Sequence, residues 1–215
     1  MDRHKLGRYP RVDKLPRLLM RPSGPVVMVN LLAFKERATG SYAGRSGREA
    51  YQDYARGAAL AQRSMGSRLV WSGECRERLS PEGPDLDVIA FLEYASPRAF
   101  LRFARTGGGK ADARAAGLLG QWLVSATTLD EAPVADGPVL VQLLPQAPKA
   151  QQAGGQRIWR GSFDDLLIGR GKRFAAIDAT VHPDADRLRH AASMAPAGSW
   201  LYAAESADLM PGLSD

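Results

Sequence analysis

Two copies of one β-α-β-β-α-β unit, an α+β chain, are what this sequence of 215 residues predicts, and three observations carry the prediction. Four apolar segments recur in one order: VVMVNLL, LVWSGE, IAFLEYASP and QWLVSA are followed by PVLVQLL, RIWRGS, AAIDATVHP and SWLYAA. The four tryptophans stay in phase, Trp71 with Trp159 and Trp122 with Trp200. Asn30 aligns with Gln142, Gly73 with Gly161 and Pro97 with Pro183. A duplicated unit of this kind fixes an architecture before any motif does.

The elements follow in order. Residues 1–24 form a basic, proline-punctuated arm. Residues 25–34 are an unbroken apolar run apart from Asn30, as in a strand covered on both faces. Ser46-Gly-Arg-Glu49 has the spacing of a capping box, and Tyr51, Tyr54, Ala58, Ala61 and Met65 recur on one helical face up to a stop at Gly66. Residues 67–79 alternate as a strand, with Leu69, Trp71, Gly73 and Cys75 on one face and Val70, Ser72 and Glu74 on the other. A third strand is expected at 86–95, and Ser96-Pro97 opens a second helix bearing Phe100 and Phe103. Gly107–Gly109 interrupt that helix, 111–119 resume it, and a fourth strand covers 121–129. This is the ferredoxin-like order. After a linker at 131–137, residues 138–215 repeat it with strands at 138–144, 156–168, 172–181 and 198–206 and one helix at 184–194. The stretch PQAPKAQQAGG replaces the other helix, so the second copy is degenerate.

Composition narrows the class. Hydrophobic residues make up 45% of the chain, ordinary for a globular protein, and no apolar run reaches the length of a membrane span. No secretory h-region opens the sequence, and the single Cys75 has no internal partner, so a reducing, cytoplasmic location is expected. Residues 1–21 carry seven Lys/Arg against Asp2 and Asp13 and therefore hold nearly all of the net charge of +6. Basic charge confined to an arm, with a balanced body, does not predict a nucleic-acid or membrane partner.

Residues 25–130 resemble the DUF1330 family, a branch of the dimeric α/β-barrel superfamily. The resemblance rests on Val26–Phe34 (V-x-M-V-N-L-L-x-F), Ser46–Tyr54 (S-G-R-E-A-Y-x-x-Y), Val70–Glu74 (V-W-S-G-E), Tyr94–Phe100 (Y-A-S-P-x-A-F) and Arg114–Leu118 (R-A-A-G-L). It implies two four-stranded sheets meeting in a barrel, usually from two chains; here a tandem copy supplies both, as an intramolecular pseudo-dimer, or the chain forms a homodimer. It also implies a small-molecule ligand and, among the activities of the superfamily, cofactor-independent oxygenation or isomerisation, with haem handling in some tandem relatives. Family members often carry a histidine before the R-x-A-G-L segment; residues 107–113 here read GGGKADA.

The candidate residues follow. Asn30, repeated as Gln142, is an amide inside an apolar strand and is expected to orient a ligand inside the barrel, or to tie its strand to a loop. Trp71 and Trp159 either stack a planar ligand or fill the core. Tyr51 and Tyr54, three apart on the capped helix, reach the cavity mouth or pack on the sheet. Glu74 is the one weak catalytic candidate, a base if it faces an apolar barrel, and Glu93 is weighed beside it. Cys75, flanked by Glu74 and Glu77, is read as packing rather than as a nucleophile. His4, His182 and His190 lack metal-ligand spacing, so no metal and no cofactor is assigned. His182 is expected to cap a helix, and His190 is the residue a haem would use. GGGK (107–110) and GRGK (169–172) lack the spacing of a phosphate-binding loop and are read as turns. The expected function is small-molecule binding, with or without a reaction; the alternatives are a non-catalytic ligand-binding or protein-interaction module and, more remotely, a haem protein.

Overall fold

The structure, a computed structural model, describes residues 18–21, 23–106, 111–147, 155–170, 173–209 and 213. The elements in chain order are β1 (Val26–Phe34), α1 (Gly47–Ser64), β2 (Arg68–Arg78), β3 (Val88–Tyr94), α2 (Pro97–Thr106), α3 (Ala111–Gly117) and β4 (Leu118–Glu131) in the first copy. The second copy supplies β5 (Pro138–Leu144), β6 (Gln156–Ile168), β7 (Ala176–Val181), α4 (Ala185–Ser193) and β8 (Trp200–Ser206). The eight strands close into one barrel in the order β1-β3-β2-β8-β5-β7-β6-β4. Each half contributes the ferredoxin-like order, and the halves join at two antiparallel seams, β2 with β8 and β4 with β6.

Local chemistry fixes the elements. The capping box forms in full: Ser46 Oγ accepts from Glu49 N at 3.2 Å, and Glu49 Oε2 accepts from Ser46 N at 2.7 Å. Gly66, at φ +69°, stops the chain just past α1 in a conformation few side chains adopt. Ser96 caps α2 by accepting from Ala99 N at 3.2 Å. Between β5 and β6, residues 145–147 and 155 hold no helix; the remainder, 148–154, lies outside the described residues, as do GGGK and His4.

The barrel interior is full. The inward residues of β1 are Val27, Val29 and Leu31, and all four tryptophans lie inside with them, none more than 3% exposed. Trp71 and Trp159 flank Phe91, with ring centroids 5.4 and 4.7 Å from it. Trp122 and Trp200 stand 5.0 Å apart beside Phe174. The duplication extends to single bonds: Trp71 Nε1 donates to Ser206 Oγ at 3.0 Å, and Trp159 Nε1 to Thr128 Oγ1 at 3.1 Å, each across a seam. A methyl on Gly73 would meet the Trp71 ring at 2.5 Å, and one on Gly161 the Trp159 ring at 2.3 Å, so each indole requires its glycine.

Four expectations need correction. The register on β2 shifts between Leu69 and Trp71, so the alternation read from sequence breaks there: Leu69 packs under the helices while Trp71 faces inward. A bulge inserts one residue and reverses faces. Pro183 is not the counterpart of Pro97. Trp71 faces Phe91 while Trp159 faces Ala179, and Asn30 faces Ala90 while Gln142 faces Asp178, which pairs Tyr94 with His182 and Ser96 with Asp184. Asp184 accordingly caps α4, accepting from Arg187 N at 2.7 Å, and His182 does not. A carboxylate directly ahead of the helix is the better cap. The fourth strand is also longer than expected, running to Glu131, and Leu18 at the end of the arm is fully buried while Arg21 bonds Asp164 and Thr127.

Candidate functional site

Because odd positions of β1 face inward, Asn30 points outward, beneath the helices rather than into the barrel. There the first copy holds a cavity of ≈ 540 Å³. Its floor is Met28 and Asn30 of β1, Leu92 and Tyr94 of β3, and Gln121 and Leu123 of β4. Its roof is Tyr51, Tyr54 and Gln62 of α1 with Phe100 and Phe103 of α2, and α3 closes one side with Asp112 and Arg114. Small-molecule sites in proteins commonly take this form, an apolar pocket of similar size with a few convergent polar groups.

The polar groups form two pairs. Gln62 Nε2 donates to Tyr94 Oη at 2.9 Å, which leaves the Tyr94 hydroxyl hydrogen available to a ligand. Gln62 is 2% exposed, and its Oε1 has no hydrogen-bond partner. Arg114 donates to Gln121 Oε1, and its Cζ stands 5.9 Å from the Tyr54 ring centre. Asn30 Nδ2 donates to Met28 O at 2.9 Å, so its amide oxygen is the atom left to the cavity. The Tyr51 and Tyr54 rings pack at 5.4 Å between centroids, tilted by 58°. Burial pushes the Tyr51, Tyr54 and Tyr94 phenols up from their ordinary value, so all three remain neutral O–H donors at physiological pH. Three phenols and a guanidinium converge on one apolar space, an arrangement that stabilises a ligand oxygen carrying or gaining negative charge.

The sequence candidates divide. Asn30, Tyr51 and Tyr54 meet in this cavity. Trp71 and Trp159 do not: they are core, 3% and 0% exposed, because a barrel filled by four indoles has no room for a stacked ligand. Gln142 is wholly buried on the outer face of the other half, opposite Asp178, which is fully buried between Arg157 (3.2 Å) and Arg160. Glu74 lies away from the cavity, paired with Arg48 and with Arg76 at 3.2 Å, and Glu93 bonds Arg68 at 2.8 Å; neither is an apolar carboxylate. Burial pushes the Cys75 thiol up to about 12, so it is not a thiolate nucleophile.

Gln62, Tyr94, Arg114 and Gln121 are not among the sequence candidates: Tyr94 and Arg114 stand within motifs of the family resemblance but without a role there, and Gln121 lies in none of those motifs. Gln62 alone leaves a trace: it is the polar residue on the buried Ala55-Ala58-Ala59 face of α1. Among the described residues no histidine lines the cavity. His190 is exposed on α4, and His182 is buried with its Nε2 3.0 Å from Thr180 Oγ1 beneath Gly155. Neither described histidine therefore reaches this cavity. Among the described residues no cluster of His, Cys, Asp and Glu could hold a metal ion, and no helix is long and apolar enough to cross a membrane.

No protein-family profile matches the sequence, and no curated protein does. Solved structures do. The RPA0582 protein of unknown function from Rhodopseudomonas palustris is 24% identical, with a TM-score of 0.50 over 56% of this chain and 95% of its own. Methylated RPA0582 gives 25%, 0.51, 58% and 97%. A chlorite dismutase of Candidatus Nitrospira defluvii is 9% identical, with a TM-score of 0.48 over 89% of this chain and 95% of its own. The whole of RPA0582 thus matches little more than half of this chain. The chain has the dimeric α/β-barrel fold, with both halves of the barrel drawn from one polypeptide.

Proposed function

We propose that this is a DUF1330-type protein that binds a small, partly aromatic, oxygen-bearing molecule in the cavity beneath α1, in the first copy alone. The observation that carries the reading is the buried Gln62–Tyr94 pair, with Gln62 Oε1 unpartnered in an apolar cavity that Arg114 and two further phenols line. A buried acceptor without a partner costs about 1–3 kcal/mol, and such a cost persists where a ligand uses the group. The ligand would donate to Gln62 Oε1 or the Asn30 amide and place a carbonyl or phenolic oxygen against Tyr54, Tyr94 and Arg114. If it enolises there, the donors hold the enolate, which suits a cofactor-independent oxygenation or isomerisation.

A second reading is a binding protein without turnover. It is favoured by the lining: among the described residues the one carboxylate there, Asp112, is exposed at the rim, so they supply no deep proton acceptor. A thermal-shift screen against aromatic and keto metabolites tests the site. A hit should be abolished by Asn30→Leu and weakened by Tyr54→Phe, and a hit indifferent to both removes the assignment. Product formation from that hit in air separates enzyme from binder.

A further inference from the structure

A second concave site lies on the other side of α2. It is a groove of ≈ 820 Å³ between α2, the chain at Leu19 and the outward residues Leu123 of β4 and Leu167 of β6. Phe100 and Leu101 complete its apolar wall. Its rim is of one sign. Arg98, Arg102 and Arg105 recur along one face of α2, all line the groove, and all are exposed. The helix, PRAFLRFART, contains no acidic residue, and among the described residues no carboxylate lines the groove. Among the described residues none of the three arginines takes part in an ion pair, although most other surface arginines of the barrel do.

Like charges one turn apart on a helix repel. An apolar trough beside three uncompensated guanidinium groups is complementary to one kind of molecule: an apolar chain ending in an anion. The basic arm does not supply it, since residues 1–17 carry six Lys/Arg against two Asp and match the rim in sign. We propose that the groove binds a free alkyl-chain anion of the fatty-carboxylate class. The chain lies against Phe100, Leu101, Leu123 and Leu167, and the carboxylate sits among Arg98, Arg102 and Arg105. The site is separate from the cavity beneath α1, although the two abut at Phe100, Ala104 and Leu123.

The test is calorimetric titration of the full chain with decanoate, decanol and decyltrimethylammonium, each kept below its aggregation concentration. Decanoate is expected to bind about tenfold or more tighter than decanol, with an affinity that falls as salt rises, and the cation is expected not to bind. The exposed double variant R102Q/R105Q should lose that preference while binding decanol as before, and its melting curve should be unchanged. Gln62→Leu, in the other cavity, should leave decanoate binding intact. Equal affinity for decanoate and decanol, or full binding by R102Q/R105Q, overturns the proposal. Loss of decanoate binding in Gln62→Leu would place the anion beneath α1 instead, also overturning it. Sedimentation with anionic vesicles by a protein that does not bind monomeric decanoate would show a membrane surface as the partner and would overturn it as well.

Discussion

Replacing Tyr94 with Phe removes one oxygen and should damage the fold more than replacing Gln62 with Leu, which removes an entire amide. Tyr94 Oη is the acceptor for Gln62 Nε2, at 2.9 Å, in a region where both residues are 2% exposed. Gln62 Oε1 is already without a partner. Tyr94→Phe therefore orphans the whole amide, at about 1–3 kcal/mol. For a protein of this size each kcal/mol moves the melting point by about 2–4 °C, so a fall of about 2–12 °C is expected. Gln62→Leu removes the orphaned oxygen but leaves the Tyr94 hydroxyl without its donor, so a relief and a cost offset each other; only the double variant removes both partners of the buried pair for apolar groups, which is nearly neutral. Gln62→Leu should stay within about 1 kcal/mol of the parent or exceed it. The double variant should resemble Gln62→Leu, so the second substitution repairs the first. Urea unfolding of the four proteins measures this. The reasoning is refuted if Gln62→Leu is the more damaging single change, or if the two losses simply add.

Other outcomes follow from the same structure. His182 is buried, and desolvation holds its imidazole below the ordinary value of 6.5, against the pull of Asp184. The unfolded chain then binds the proton more readily, so stability should be full above about pH 6.5 and decline as pH falls through it; His182→Gln should flatten that part of a denaturant-midpoint profile. Gly161→Ala drives a methyl to 2.3 Å from the Trp159 ring and should cost about 1–3 kcal/mol in a thermal melt, with Trp159→Phe restoring part of it. Residues 131–215 expressed alone keep neither seam partner, β2 nor the body of β4, and should show no cooperative thermal transition; a sharp one would refute the dependence of that half on the first.

The repeat was legible because tryptophans and their glycines recur wherever an indole must be seated, and the capping box because its chemistry is local. The direction in which Asn30 points was not. An apolar strand covered on both faces has no alternation to read, and barrel interior and helix-covered exterior look alike. The two-residue displacement of Pro183 was hidden because proline can precede a cap as well as follow one. Tyr94, Gln62, Arg114 and Gln121 come from four different elements, and their meeting depends on how three helices lie on the sheet. Tyr94 and Arg114 lie within motifs of the family resemblance, but nothing in the sequence distinguishes them there from their neighbours.

The two seams have a consequence for how the protein behaves on dilution. A barrel completed by a second chain is held by mass action and comes apart when subunits are scarce. Here β2–β8 and β4–β6 are intramolecular, so the second half meets the first at a local concentration set by the connecting chain, whatever the abundance of the protein. Identical subunits must also change together, whereas halves encoded separately within one chain can specialise. One has an open space under three helices, and the other fills the corresponding face with an internal ion-paired cluster around Asp178, so the two sides of one barrel differ in what they leave accessible.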